Sequence, residues 1–176
     1  TGIAVRKMKE KFKINKSFRI HIHKNIPIGA GLGGGSANAA AVIRAIKDLL
    51  KLHISEEDEL SIAKSIGADV QFCLYNIPSL SEGIGEKLTP IIVKKDYYVL
   101  IIKPKRGLST NEVYSKYDEV GSSSNPQVDK LIENLKQGNT DDIPNCFGND
   151  LEKASISLLP EIQDIKDLLK NCGFNI

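Results

Sequence analysis

The sequence has little of what marks membrane, nucleic-acid-binding or secreted proteins. Its formal net charge is only +2, too small to indicate nucleic acid or an anionic membrane as a partner. The longest apolar run, residues 97–102, is far shorter than the roughly 20 residues that span a bilayer. The N-terminus does not have the pattern of a signal peptide. We therefore expect neither a nucleic-acid partner nor a membrane partner.

Cysteine is also scarce, and histidine forms no ligand set. Cys73, Cys146 and Cys172 are odd in number, widely spaced and without a C-x-x-C pair, which indicates reduced thiols rather than a disulfide framework or a zinc site. His21 and His23 would share one face of a strand, but no third ligand lies near them in the sequence. We predict no metal site made of protein side chains, and a bacterial cytoplasm or an organelle stroma as the compartment.

What is present is enough apolar material for a packed core. The chain of 176 residues is 41% hydrophobic and 26% charged, as expected for one ordinary domain or two small ones. Alternating apolar residues predict a strand at residues 17–23, and an apolar run predicts a buried strand at 96–104 that ends at Pro104. Helical periodicity and capping residues predict helices at 3–12, 36–52, 55–67, 109–114, 127–136, 151–158 and 160–171. Ser55, with Asp58 three residues later, is the predicted cap of the third helix, and Ser109 or Thr110 that of the fourth.

The order of these elements predicts an α/β protein with two domains. Residues 79–91 contain strand-like pieces around Gly83 and Gly85. A turn-rich segment then gives way to the second predicted strand near residues 93–96. We place the domain boundary there, with residues 1–93 as the first domain and 94–176 as the second.

The most informative segment is a run of small residues placed between a predicted strand and a predicted helix. Six of the seven residues from Gly29 to Gly35 are Gly or Ala. Glycine lets an anion approach the backbone N–H groups closely, and the first N–H groups of a helix are unpaired and lie at its positive end. The loop is therefore predicted to wrap a phosphate chain. A tight turn beside a closely packed helix is the alternative, but one or two glycines would suffice for it.

Two familiar nucleotide motifs fit this loop poorly. It contains G-x-G-x-x-G at Gly29, Gly31 and Gly34, as in dinucleotide-binding proteins, but Asp48 and Glu56 are only ambiguous candidates for the acidic residue expected about 20 positions later. A P-loop ends in G-K-[ST], whereas this loop ends in G-S-A.

The loop instead resembles the phosphate-binding motif of the GHMP kinases, P-x-G-x-G-L-G-S/G-S/G-S/A followed by small residues. In those kinases the motif wraps the phosphates of ATP. The resemblance implies that ATP is bound by the following residues: Pro27, Ile28, Gly29, Ala30, Gly31, Leu32, Gly33, Gly34, Gly35, Ser36 and Ala37.

Four further segments, residues 67–74, 81–91, 103–114 and 149–162, resemble one group within this superfamily. These kinases phosphorylate the 2-hydroxyl of 4-diphosphocytidyl-2-C-methyl-D-erythritol in the non-mevalonate route to isoprenoid precursors. The resemblance implies ATP and Mg²⁺ as cofactors and that small molecule as substrate. It also implies a ribosomal-S5-like N-terminal domain and a ferredoxin-like C-terminal domain, both incomplete. A homodimer is left open.

Three residues receive roles from this resemblance. Asp69 matches the catalytic Asp, which would accept the proton of the substrate hydroxyl or orient that group. Tyr114 matches the place of an aromatic ring that stacks on cytosine, and Thr110 is a candidate for contacting the ribose or the phosphates. From the residues alone, Asp69 could equally be a helix cap or turn residue, and Tyr114 a core aromatic.

The sequence also departs from the family pattern. Gln71 stands where the family usually has Pro, and Ala37 where it often has Ser. The family's first strand, its Tyr-His pair and its last glycine motif lie outside the sequence, which begins with Thr1. We therefore expect a fragment whose own activity is open. Another small-alcohol kinase of the superfamily, a dinucleotide-binding oxidoreductase module and a catalytically silent fragment are the alternatives.

Overall fold

The computed structural model describes residues 1–174. Over these residues the fold is helix-rich, with eight α-helices, one 3-10 turn and one two-stranded antiparallel sheet. The chain divides into two compact units, one from Thr1 to Ile91 and one that begins at Ile92. No helix within the described residues combines the length and the apolar character that crossing a membrane requires.

The N-terminal unit contains four helices and the hairpin. Its elements are α1 (Gly2–Phe12), α2 (Gly34–Leu49), α3 (Glu56–Ile66), α4 (Ala68–Tyr75), β1 (Ser79–Glu82) and β2 (Lys87–Pro90). The predicted helices at 3–12 and 36–52 are confirmed, with the second beginning two residues earlier than expected.

One apolar cluster holds these helices together. Met8 from α1 and Ile43 from α2 are fully buried, and burying side chains of this size stabilises a fold by about 1.5–3 kcal/mol each. The remaining members of the cluster are Ala4, Ile14, Ala39, Ala40, Val42, Ile46, Ile62, Ala63 and Val70. Ion pairs lie at the edge of the cluster, from Lys11 to Asp58 at 2.7 Å and from Lys47 to Glu59 at 2.5 Å.

The start of α3 follows the local sequence. The Ser55 side chain accepts a hydrogen bond from the backbone N–H of Asp58 at 3.1 Å, as the predicted cap requires. The ammonium of Lys11 and the hydroxyl of Ser55 hold the pKa of Asp58 below its usual value. Gly67 follows the last residue of α3, and α4 begins directly after it.

The strand-like pieces around Gly83 and Gly85 form the hairpin. β1 pairs antiparallel with β2, with Ser79 opposite Pro90 and Glu82 opposite Lys87. In the turn, the backbone N–H of Ile84 donates to Glu86 Oε2 at 2.7 Å. Backbone N–H groups of Glu86 and Ile84 hold the pKa of the Glu86 carboxyl below its usual value.

The C-terminal unit contains four helices and a short 3-10 turn. Its elements are α5 (Thr110–Val120), α6 (Val128–Gln137), the 3-10 turn (Pro144–Cys146), α7 (Glu152–Leu158) and α8 (Glu161–Asn171). The helices predicted in this half are therefore confirmed. Between residues 92 and 174 the buried apolar residues are Val113, Ile143, Cys146, Ala154 and Leu159.

The predictions of strands at residues 17–23 and 96–104 are wrong. A strand is stabilised by hydrogen bonds to a neighbouring strand, and within the described residues β1 and β2 pair only with each other. Burial of the second segment is also wrong, since Tyr98 is fully exposed and Val99 is 77% exposed. The α/β class is thus confirmed only as a mixed, helix-rich fold with a small sheet.

Candidate functional site

The glycine loop has the backbone shape that its composition predicts. Gly29 and Gly31 have φ values of 69°, and Gly33, the N-cap of α2, has φ of 62°. Residues with a side chain rarely adopt this region. A Cβ at any of the three would meet nothing within 4 Å. The glycines are therefore needed for the path of the backbone, and the space beside them is open.

The loop leads into a helix start that has no counter-charge. No side chain caps α2, and its first turn carries no acidic residue. The first backbone N–H groups of the helix, at the positive end of its dipole, therefore have no side-chain acceptor there. This arrangement favours an anionic ligand.

Lys24 brings a second positive charge to this helix start. Its ammonium nitrogen lies 3.2 Å from the position that a Cβ on Gly34 would occupy, next to the side chain of Ile26. Among residues 1–174, no carboxylate forms an ion pair with Lys24. An ammonium beside the positive end of a helix is electrostatically unfavourable, and a bound anion would relieve this repulsion. The sequence reasoning missed Lys24, although a basic residue three positions before Pro27 was the available indication.

Asp69 is the second residue of α4, and its side chain is exposed. The next residue, Val70, is 2% exposed and belongs to the apolar cluster. α4 packs on both α2 and α3. Gly67 is the N-cap of α4, and the helix has no side-chain cap hydrogen bond. The interpretation of Asp69 as a helix cap is therefore wrong, and its carboxylate is free for another role.

Cys73 lies one helical turn after Asp69 on α4, and its backbone carbonyl links α4 to α2. The backbone carbonyl of Cys73 accepts a hydrogen bond of 2.7 Å from Arg44 Nη2. Partial burial raises the pKa of the Cys73 thiol, the Asp69 carboxylate raises it further and the Arg44 guanidinium opposes both. The thiol is thus within electrostatic reach of both charged side chains, and its raised pKa disfavours the reactive thiolate.

Gln71, which stands where the family usually has Pro, contacts the hairpin. Gln71 Nε2 donates to the backbone carbonyl of Glu86 at 3.2 Å. A Cβ on Gly85 would lie 3.2 Å from the Cβ of Ala68. The hairpin turn is therefore held against the beginning of α4, the part of the helix that carries Asp69.

The two predicted substrate residues lie in the C-terminal unit, on α5. Ser109 caps this helix in a full capping box with Glu112, so Thr110 is not the cap. The Ser109 hydroxyl and backbone N–H hold the pKa of the Glu112 carboxyl below its usual value. Tyr114 is 54% exposed, whereas its neighbour Val113 is buried. The alternative interpretation of Tyr114 as a core aromatic is therefore wrong.

An apolar groove of about 480 Å³ in the N-terminal unit contains none of the predicted site residues. It lies between residues 18–23 and one face of α2. The rings of His21 and His23 on its wall are 4.6 Å apart. Within the described part of the chain, no group of three or more His, Cys, Asp and Glu residues could hold a metal ion.

Comparison with known proteins bears on the nucleotide-binding families considered above. The family model described as "GHMP kinases N terminal domain" matches residues 2–76. Over these residues the chain is similar to the GHMP kinases. The matched range includes the whole glycine loop and Asp69.

Curated relatives narrow the group. Proteins named "4-diphosphocytidyl-2-C-methyl-D-erythritol kinase" from Caldicellulosiruptor bescii, Clostridium tetani and Alkaliphilus oremlandii are 38%, 36% and 39% identical to this chain. The matches cover 96%, 97% and 93% of the chain, but 59%, 61% and 56% of the relatives. The chain thus spans about six tenths of their length. The family resemblance inferred from the sequence is confirmed.

Proposed function

We propose that this chain carries the nucleotide-binding part of an ATP-dependent kinase for 4-diphosphocytidyl-2-C-methyl-D-erythritol. The reaction transfers the γ-phosphoryl group of ATP to the 2-hydroxyl of that substrate, in the non-mevalonate route to isoprenoid precursors. The names of the relatives support the substrate, and residues from the N-terminal unit supply the chemistry.

The observation that carries the proposal is the helix start at Gly33. Three alternating glycines with positive φ leave open space beside a run of backbone N–H groups. The Lys24 ammonium lies at the same place. A triphosphate carries several negative charges, so it is stabilised by both the N–H groups and the ammonium. The ATP-contacting segment is residues 27–37, as the sequence resemblance implies.

Asp69 is assigned to the substrate hydroxyl. Its carboxylate is exposed at the start of α4 and forms no cap. A carboxylate within hydrogen-bond reach of an alcohol can orient it for in-line attack and accept its proton as the bond to phosphorus forms. Cys73, with a raised thiol pKa, takes no part in this step.

Mg²⁺ would enter with ATP and neutralise charge on the phosphates. Magnesium is commonly held by one or two protein oxygens together with substrate phosphates, so a dedicated ligand cluster is not required. The hydroxyl of Ser36, in the first turn of α2, would be an oxygen donor that fits this preference.

Thr110 and Tyr114 are assigned to the cytidine end of the substrate. Both are exposed on α5, and neither is used to cap the helix or fill the core. The domains proposed are residues 1–93 and 94–176, with the ribosomal-S5-like and ferredoxin-like folds of the family. We propose a bacterial cytoplasm or an organelle stroma as the compartment, and the bacterial origin of the relatives supports the first.

The test combines binding with turnover. The purified chain is incubated with Mg-ATP or NAD, and hydrogen exchange is measured in the loop, residues 27–37. Protection by Mg-ATP and not by NAD supports the kinase assignment, whereas protection by NAD alone would favour a dinucleotide-binding oxidoreductase. No protection by either ligand would overturn the assignment of the loop.

Turnover is measured by mass spectrometry of the phosphorylated product, with Asp69→Asn as the variant. We expect product from the unsubstituted chain and a loss of about 10²–10⁴-fold in the variant, the usual contribution of a positioned acid or base. Equal rates would contradict the role of Asp69. Homoserine and mevalonate serve as competing substrates, and phosphorylation of either in preference to the cytidine compound would move the chain to another kinase of the superfamily.

A further inference from the structure

Arg44 connects the two helices that carry the proposed site. It lies on α2, exposed, and Arg44 Nη2 donates to the backbone carbonyl of Cys73 on α4 at 2.7 Å. Among residues 1–174 this is the one side-chain hydrogen bond between α2 and α4. The loop that leads into α2 is the proposed phosphate site, and α4 carries Asp69 in its first turn.

The accepting carbonyl belongs to a part of α4 that needs a partner. α4 has only eight residues, too few to be stable without packing. The carbonyls of its last turn, including that of Cys73, have no partner within the helix. A guanidinium at this point satisfies one of them and also offsets the negative end of the helix dipole.

Apolar packing is one part of what holds α4 on α2. The cluster residues of α2 are Ala39, Ala40, Val42, Ile43 and Ile46, and α4 contributes the buried Val70, with Cys73 and Leu74 partly buried against the cluster. Apolar contacts of this kind are non-directional. A charge-assisted hydrogen bond has a preferred length and angle, so it selects one arrangement.

The other end of α4 is held separately. Gln71 donates to the carbonyl of Glu86, and Gly85 fits closely against Ala68. The hairpin therefore restrains the first turn of α4, and Arg44 restrains the last. Among residues 1–174, the Arg44 contact is the only side-chain hydrogen bond that joins α4 to α2. A small rotation of α4 at this contact changes the direction of the Asp69 carboxylate.

We propose that Arg44 is a positioning residue, which holds the helix of Asp69 in register with the helix of the phosphate loop. This inference rests on the proposed function, because it takes the loop and Asp69 to be two halves of one site. Arg44 itself touches neither nucleotide nor reacting atoms. Binding of nucleotide at the start of α2 should therefore slow hydrogen exchange in α4, and this effect should depend on Arg44.

The test compares Arg44→Met with Arg44→Lys, which keeps the charge and one donor. Hydrogen exchange is followed in residues 68–76 and 34–49, without ligand and with Mg-ADP. In Arg44→Met we expect exchange in 68–76 to rise about tenfold, as for the loss of one charge-assisted hydrogen bond at a partly exposed site. Exchange in 34–49 should be unchanged, and Arg44→Lys should recover much of the loss.

Coupling to the nucleotide separates positioning from simple stabilisation. Mg-ADP should slow exchange in residues 68–76 of the unsubstituted chain and of Arg44→Lys, but not of Arg44→Met. In turnover, Arg44→Met should lower kcat about tenfold with the KM for ATP unchanged. Arg6→Met is the matched control, since Arg6 is an exposed arginine whose ion pair lies within α1.

The outcomes distinguish this inference from the proposed function. Equal exchange in 68–76 for all three proteins would overturn the role of Arg44, whether or not the chain turns over substrate. So would a nucleotide effect on α4 that survives Arg44→Met. A loop that Mg-ADP does not protect in the unsubstituted chain would instead count against the proposed function, and the ligand-free exchange would still decide whether Arg44 anchors α4.

Discussion

The two units differ in how much of their apolar sequence they bury. The N-terminal unit gathers eleven buried residues from four helices and a loop into one cluster. In the C-terminal unit, residues 92–174 include five buried apolar residues besides Asn134, and α8 buries none. This unit also exposes the continuous run Tyr97–Ile102, in which every side chain is at least 37% exposed.

An apolar pattern is therefore buried only where a second element packs against it. The apolar faces of α1, α2 and α3 meet one another within residues 1–91. Residues 97–102 have the composition of a buried strand, but no strand lies beside them in the described chain. Contiguous exposed apolar surface of this kind marks a place where something else normally packs.

Removing a central side chain of the larger core should have the largest effect on this contrast. Ile43→Ala leaves a cavity at a fully buried position, so we expect a loss of about 3 kcal/mol in the free energy of unfolding. Leu49→Ala is the control on the same helix, because Leu49 is 71% exposed, and it should change stability by less than about 0.5 kcal/mol.

The corresponding change in the smaller core is Val113→Ala, which removes less apolar volume and should cost about 1–2 kcal/mol. Urea unfolding followed by hydrogen exchange in residues 1–91 and 92–174 measures both changes. A larger loss for Val113→Ala than for Ile43→Ala would contradict the contrast between the two cores.

The two units also differ in their proposed roles, since the N-terminal unit is proposed to bind ATP and the C-terminal unit to select the substrate. Tyr114→Ala should raise the KM for the cytidine substrate about tenfold and leave that for ATP unchanged, because stacking of a base on an aromatic ring contributes about 1–3 kcal/mol. Tyr114→Phe keeps the ring and should behave as the unsubstituted chain. A change in the KM for ATP alone would indicate that Tyr114 contributes to binding ATP rather than the cytidine substrate.

A smaller effect is expected at the phosphate loop. Lys24→Met removes one positive charge beside the start of α2, and we expect the Kd for Mg-ATP to rise about fivefold, in the range of one exposed charge at a helix end. Lys16→Met, an exposed lysine outside the site, is the control. The effect of Lys24→Met should decrease as the salt concentration rises, and an effect independent of salt would point to packing rather than charge.

The smallest predicted effect concerns the capping box of α5. Because the folded-state pKa of Glu112 is lowered, its ionised form favours the folded state. That contribution is fully present above the unfolded-state pKa of about 4.3 and is lost as pH falls through the lower folded-state value. Glu112→Gln should therefore reduce the difference in α5 hydrogen exchange between pH 6 and pH 3. An unchanged pH dependence would contradict this.

Local features were the ones that the sequence predicted well. The caps at Ser55 and Ser109 use side chains and backbone N–H groups only three residues apart, so a short window contains both partners. The glycine loop is similar, because positive φ is a property of single residues. The strands at 17–23 and 96–104 depended on neighbours that no local pattern specifies.

The contacts that complete the candidate site were not predictable from such windows. Arg44 and Cys73 are 29 positions apart, and Gln71 and Glu86 are 15 apart. Each pair meets only because helices pack or because a hairpin turns back on a helix. Asp69 was found through family resemblance. That its carboxylate does not cap α4 follows only from the structure, in which Gly67 occupies the N-cap.

The glycine loop has a handedness that chemical synthesis could use. At Gly29, Gly31 and Gly33 the backbone turns in the sense that mirror-image amino acids prefer. A D-alanine at Gly31 would therefore be relaxed where L-alanine is strained. A semisynthetic chain with either isomer at this position would separate two requirements. The path of the backbone disfavours only the L isomer, whereas close approach of a phosphate to the backbone disfavours a methyl group of either configuration.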